Sequence, residues 1–295
     1  MFLAFSRNWK DYNEALVKRG LILLDLDFVA DWSRELKAMN EHKEGARYRY
    51  PESFIKLLAM VHAYVLPYRQ LEGFTRALSH HVDGLEAPDY TTIWWRVAKM
   101  DVDLTSQVVA DSDVTIAVDS SGIKVTNRGE WIRRKWKAKR GFIKAHIAVN
   151  TETKQIIAME ITKENVSDGR MLEPLVKDST QKTSVKRLLG DGAYDSRKNF
   201  CFLADHGIEP VIKVRKNSSS KARGCMPHKK AVVEQLGNPE WKKKKGYGYR
   251  WMAESAFSAI KRIFGEHITS IKWDSIIKEL LLKASIYNLF MALNQ

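Results

Sequence analysis

The 295-residue sequence is poor in cysteine, with two, Cys201 and Cys225. So few exclude a disulfide framework, and their spacing is not that of a zinc knuckle, so two reduced thiols are expected. No stretch approaches the ~18 consecutive apolar residues of a transmembrane helix, and the apolar run within Met1–Lys10 is too short for a secretory signal. A soluble cytoplasmic protein is therefore expected. Tandem repeats are missing too. The first part of the chain also lacks any excess of positive charge, since residues 1–110 hold 14 Lys/Arg against 15 Asp/Glu.

The remainder differs sharply. Residues 111–295 hold 35 Lys/Arg against 20 Asp/Glu, which accounts for the whole formal net charge of +14. A surplus of that size points to a polyanionic partner, nucleic acid before a membrane surface. With 44% apolar and 28% charged residues the composition is that of an ordinary globular protein. The length suits one large domain or two modest ones.

The periodicity divides the chain at about residue 110. Before it, apolar positions recur at helical spacing in Phe54–Val65, with Pro51 placed to start that helix, in Tyr68–Leu78, and in Asp89–Lys99, where Asp89 or Thr91 is the N-cap candidate. Two short helices around a polar turn fit a helix-turn-helix with Thr91, Thr92 and Arg96 facing a DNA groove, although a plain helical bundle fits the spacing as well. After residue 110 come strand-like runs at Val114–Ser120, Gly122–Thr126, Phe142–Val149 and Gln155–Thr162, which a three-stranded antiparallel meander accommodates. A helix near Gly169–Asp178, a buried strand Val185–Leu189, a helix near Ser196–Asp205 and a strand Pro210–Val214 follow. Residues 216–248 are basic and weakly periodic and read as an inserted loop. Helices from Arg250 and across Ser275–Leu293 close the chain.

Two strand ends and one helix carry the chemistry. Asp119 follows Ala117-Val118, and Asp191 follows Leu189-Gly190, each beside Ser or Gly that let a ligand approach. Glu254 lies on a helix among Ala253, Ala256 and Phe257. Carboxylates drawn together repel unless cations neutralise them, and hard divalent ions with oxygen ligands, Mg²⁺ or Mn²⁺, do so. Such a site serves in-line phosphodiester displacement. Asp195 reads instead as the cap of the helix that follows it.

Three passages, Ala117-Val-Asp-Ser-Ser-Gly-Ile-Lys124, Gly190-Asp-Gly-Ala-Tyr-Asp195 and Tyr247–Lys261, resemble the DDE transposases of bacterial and archaeal insertion sequences. The third fits their Tyr-x₂-Arg-x₃-Glu-x₆-Lys signature on Tyr247, Arg250, Glu254 and Lys261, with Tyr249 an alternative for the tyrosine. The segments Asn8–Gly20 and Leu66–Phe74 look like such proteins as well, so the resemblance covers nearly the whole chain. It implies an α/β ribonuclease-H-like mixed sheet flanked by helices in residues 112–295, with the basic insert, preceded by a helical DNA-binding region in 1–105. It also implies that Asp119, Asp191 and Glu254 ligate Mg²⁺ or Mn²⁺, while Tyr247, Arg250 and Lys261 contact phosphates. Trp241 becomes the candidate to hold an extruded base; Asp168 reads as a helix cap and His146 as an ordinary strand histidine, with a place near the site as the alternative. The partners implied are double-stranded DNA, at terminal inverted repeats and at the target, and a second copy of the chain. A nuclease or resolvase of the same fold, or a transposase-derived DNA-binding regulator, are the competing readings.

Overall fold

The computed structural model describes residues 8–102, 104, 113–125, 142–219 and 224–293, which form two compact units. The first comprises residues up to Val102 together with Lys278–Ile286, and the second Asp103–Ile277 together with Tyr287–Ala292. Residue 126, named above in a strand, and residues 220–223 of the basic insert lie outside the described part.

The first unit is helical, with α1 (Trp9–Ile22), α2 (Phe28–Asn40), α3 (Glu52–Tyr64), α4 (Tyr68–Ser79) and α5 (Tyr90–Lys99). Pro51 and Pro67 each stand immediately before a helix, at the cap and not inside it. The apolar spacing read from the sequence points Phe54, Leu57, Leu58, Leu71, Ile93 and Val97 into one core, where Phe28 stacks on Phe54 with ring centroids 4.8 Å apart. Asp89, not Thr91, caps α5: its carboxylate accepts from the Thr91 and Thr92 N–H groups. The connection between α4 and α5 runs from His80 to Asp89, longer than the tight turn of a helix-turn-helix.

The second unit is built on a mixed sheet of β1 (Val114–Lys124), β2 (Phe142–Asn150), β3 (Ile156–Lys163), β4 (Val185–Gly190) and β5 (Glu209–Ile212). The strand order is β3-β2-β1-β4-β5; β1–β2 and β2–β3 are antiparallel, β1–β4 and β4–β5 parallel. This is the ribonuclease-H-like layout, an antiparallel meander extended by two parallel strands with helical crossovers. The crossovers are α6 (Leu172–Lys182) and α7 (Arg197–Asp205). β1 runs through Gly122 without interruption, because Gly122 keeps its place in the ladder opposite Lys144. Ile116, Val118, Ala148, Leu188, Leu172, Phe200 and Ile212 fill the core between sheet and helices.

The insert departs from the expected loop. It contains α8 (Met226–Gly237) and a short α9 (Trp241–Lys244), with His228, Ala231, Val232 and Trp241 buried. Apolar residues are sparse there, so the helical period is weak, yet those few are the ones that pack. Cys201 and Cys225, expected as separate thiols, form a disulfide between α7 and the start of α8, with Cα atoms 6.2 Å apart. Sequence separation alone hid the pairing, since the fold of the insert decides it. After α10 (Trp251–Phe264), the chain closes with α11 (Trp273–Ala292). Among the described residues no helix is long and apolar enough to cross a membrane.

Within the second unit Asn288 of α11 secures the start of β3. Its amide oxygen accepts from Ile156 N–H (2.7 Å), and its nitrogen donates to the carbonyls of Ile156 (2.7 Å) and Leu104 (2.9 Å). The side chain is fully enclosed, so its removal leaves backbone groups without water or partner. Asn288→Ala is expected to destabilise the protein by about 2–4 kcal/mol, read as a lower urea midpoint with an unchanged slope. A midpoint equal to that of wild type would show that the bonds contribute nothing net.

Candidate active site

The parallel pairing of β1 and β4 decides where the first two carboxylates stand. Ala117 pairs with Leu189, so Asp119 stands beside the point where β4 ends and the chain passes into Asp191, while β1 itself continues along β2 to Lys124. Asp191 is the first residue past β4. Its carboxylate caps the 3₁₀ turn Gly192–Tyr194 by accepting from Ala193 N–H at 2.8 Å. Gly190 packs closely here: a Cβ would lie 3.3 Å from the Tyr194 ring and 3.4 Å from Val118, so a side chain would need its neighbours to shift slightly. Asp119 accepts from Ser120 N–H at 2.9 Å.

Glu254 arrives from another element. It sits in the first turn of α10, which packs on β1 and β2 through Ala253, Ala256, Phe257 and Ile260. Arg250, expected on this helix, belongs to the 3₁₀ turn Tyr247–Arg250 that leads into it. Its guanidinium bridges the carboxylates, ion-paired to Glu254 and 3.7 Å from Asp119. The arrangement thus contains the i,i+4 Arg–Glu pair that a solvated helix would form, but the arginine is shared with a strand residue. Lys261 donates to the Ser121 hydroxyl at 2.8 Å. Asp119, Ser120, Ser121, Glu254, Phe257 and Lys261 border a cleft of about 480 Å³.

Electrostatics mark the spot. Burial pushes the Asp119 carboxyl above its ordinary value; the Ser120 N–H and Arg250 oppose that rise, while the charges of Asp191 and Glu254 add to it. Tyr194 is buried with its hydroxyl lacking a hydrogen-bond partner, and its proton is held firmly by burial and by the nearby Asp119, Asp168 and Asp191. Tyr247 is half-buried, its hydroxyl pKa raised by burial and close enough to sense Arg250, Asp191 and Glu254. Tyr249, by contrast, is 58% exposed.

Several neighbours were expected differently. Asp168 belongs to this surround: its turn lies so close to the Asp191 turn that a Cβ on Gly169 would be 2.9 Å from Ala193 O. Lys144 donates to Asp168 at 3.1 Å. Behind it His146 is fully buried, bonded to the Thr162 hydroxyl at 2.8 Å, its pKa lowered to about 4 by burial against the pull of Asp168. Asp195 does not cap α7. Ser196 does so, while the Asp195 carboxylate accepts from Arg215 N–H (2.8 Å) and Ser218 O–H (3.0 Å) and meets His228 Nε2 at 2.8 Å. Trp241 is enclosed against Tyr247, ring centroids 5.3 Å apart, and has no free face for an extruded base. Arg96, expected at a DNA groove, is 6% exposed and spent on Glu52 (2.7 Å) and the Tyr50 carbonyl (2.9 Å). Sequence spacing could not separate outward from inward positions on so short a helix.

With this geometry in view, comparison with known families is decisive. A family model described as a transposase DDE domain matches residues 111–289. The chain belongs to the DDE transposase family. A second family model with the same description matches residues 17–128 of the transposase. Its chemistry is accordingly DNA cleavage and strand transfer. Distant likenesses among solved structures include the piggyBac transposase synaptic complex with hairpin DNA (12% identity, 94% of this chain and 74% of that one, TM-score 0.44). Others are the Drosophila P element transposase strand transfer complex (11%, 88% and 69%, TM-score 0.34) and a simian T-cell lymphotropic virus intasome bound to PP2A regulatory subunit B56 gamma (12%, 73% and 67%, TM-score 0.32).

The raised Asp119 pKa yields a pH prediction. A carboxyl whose folded pKa exceeds its unfolded value favours the fold while protonated, and that contribution is lost as pH rises through the folded pKa. Without divalent metal, Asp119→Asn should therefore melt higher than the transposase itself at neutral pH. The gap should close as pH falls into the carboxylate range. Calorimetry across that range checks it, and a gap independent of pH would remove Asp119 as its source.

Proposed function

We propose that the transposase cuts at the terminal inverted repeats of an insertion sequence and joins those ends to target DNA, with Asp119, Asp191 and Glu254 as its catalytic carboxylates. The observation that carries this reading is the β1–β4 register, which sets Asp119 beside the end of β4 and Asp191, with Glu254 of α10 close enough for all three charges to be felt at Asp119. In this reading residues 112–295 perform the chemistry, residues 1–105 read the terminal repeats, and two copies act together on the DNA.

The donor set is all carboxylate oxygen, which suits Mg²⁺ or Mn²⁺ and disfavours soft metals. Among the described residues no three acidic, His or Cys side chains stand close enough to enclose an ion as placed. Arg250 explains this, because its guanidinium holds Glu254 and lies beside Asp119, supplying the positive charge that the carboxylates require. The residues therefore fit a cation in the chemistry of their donors. Bound between them, a divalent ion would supply Lewis acidity toward a phosphoryl oxygen and lower the pKa of an attacking water or 3′-hydroxyl. Asp119 and Asp191 are each oriented by a backbone N–H, from Ser120 and Ala193.

The cations around the cleft position the phosphates. Lys261 lines the cleft and Arg250 lies beside its carboxylates, and in this reading Tyr247, facing Arg250, takes the tyrosine place of the Tyr-Arg-Glu-Lys signature in preference to the exposed Tyr249. On the insert, Lys242, Lys243 and Lys244 are exposed, whereas Lys245 is bound to Glu209 (2.8 Å) and Glu234 (3.1 Å) and belongs to the fold.

Two outcomes test the reading. Asp119→Asn, Asp191→Asn and Glu254→Gln should each reduce cleavage and joining of labelled terminal DNA by roughly 10³-fold or more while a gel shift shows DNA still bound, and EDTA should have the same effect on wild type. Joining in EDTA, or normal cleavage by any of the three, refutes the assignment; cleavage without joining identifies a nuclease. Replacing Lys242, Lys243 and Lys244 with Ala should flatten the dependence of log affinity on log salt by about 0.9 for each phosphate that is no longer neutralised, alike for any duplex sequence. An unchanged slope would move the DNA path off the insert.

A further inference from the structure

The helical unit carries a groove that the catalytic chemistry leaves unused. It lies between residues 43–50 and the first half of α5, encloses about 550 Å³, and is bordered by Lys43, Arg47, Tyr48, Trp94 and Trp95. The polar side chains at this end of α5 already have partners. Both threonine hydroxyls donate to Asp89, Thr92 at 2.7 Å, and Arg96 is buried on Glu52. What α5 offers outward is aromatic: Trp94 is 40% and Trp95 44% exposed.

Cations accompany the rings. Lys99 lies 3.9 Å from the Trp95 centroid, Lys43 4.8 Å from that of Tyr48, and Arg96 stacks on Tyr48 from within at 4.5 Å. Arg47 is exposed and takes part in no ion pair among the described residues. The acid in the lining, Asp89, is committed to the helix cap. Residues 1–110 carry slightly more acidic than basic side chains, so this gathering of positive charge around aromatic faces is local.

We propose that the groove binds an unpaired DNA strand, a base stacking on Trp94 or Trp95 while Arg47 and Lys43 hold the adjoining phosphates. A duplex keeps its base faces inside the stack and presents edges and phosphates, which indole faces match poorly. An unpaired strand presents a π-face at every base, and cation-lined aromatic grooves bind such strands with little regard to sequence. The proposal rests on the transposase reading, in which cut ends are where unpaired strands arise.

The test uses the full chain, a fluorescent oligothymidine as the single strand, and a random-sequence duplex. Trp94→Ala combined with Trp95→Ala, and separately Arg47→Ala, should each weaken oligothymidine binding about tenfold, with duplex affinity changed less than about twofold because the duplex is held by the basic catalytic unit. The Trp94→Phe, Trp95→Phe pair, which keeps two stacking faces, should retain most of the single-strand affinity. Unchanged oligothymidine binding in the alanine variants, or an equal loss on both probes, overturns the proposal. So does a shift in sedimentation from dimer to monomer with single-strand binding intact, which would make the groove a protein interface. Failure of the transposase reading would show separately, as wild-type protein that neither cuts nor joins terminal DNA.

Discussion

The register of one pair of parallel strands is the constraint on which the catalytic unit turns. β1 and β4 are held by main-chain hydrogen bonds, and the Ala117–Leu189 pairing sets Asp119 beside the end of β4, where Asp191 follows. Slipping that register by a residue would send Asp119 to the opposite face of the sheet, away from Asp191. The core residues on either side of the pair, Ile116, Val118 and Leu188, are fully enclosed and fix the alignment. The electrostatics of the site follow from placing one acid within β1 and another just past the end of β4, with a third from α10 beside them.

Charge is then managed by proximity. Burial makes the carboxylate of Asp119 costly, and Arg250 compensates without enclosing it. The Tyr194 hydroxyl, unpartnered in a nest of acids, shows the same tension from the neutral side. Such frustration costs folding energy and marks a place built for a ligand.

Much of this was legible in the chain. Period-two alternation in Phe142–Val149 and the apolar runs before Asp119 and Asp191 express the sheet directly, because a buried strand must be apolar. The signature around Glu254 locates the third acid, since a helix opening with an apolar face has few ways to sit on a sheet. What stayed hidden depends on tertiary packing. Arg96 and Trp241 have the composition of DNA contacts but are enclosed by Tyr50 and Tyr247. The basic composition of the insert masked α8, whose few apolar residues are its anchor. Asp195 looked like a cap because it precedes a helix, yet its partners, Arg215, Ser218 and His228, come from far along the chain.

Asp195 has one more consequence. It ends the short turn that begins at Asp191, so one short stretch of backbone bears the proposed catalytic carboxylate at one end and the anchor of the insert at the other. That stretch is also clamped by Asn199, whose amide donates to Gly169 O at 3.0 Å and Tyr194 O at 2.9 Å. Through the His228–Asp195 contact, the seating of α8 and the placement of Asp191 are joined by one short run of backbone.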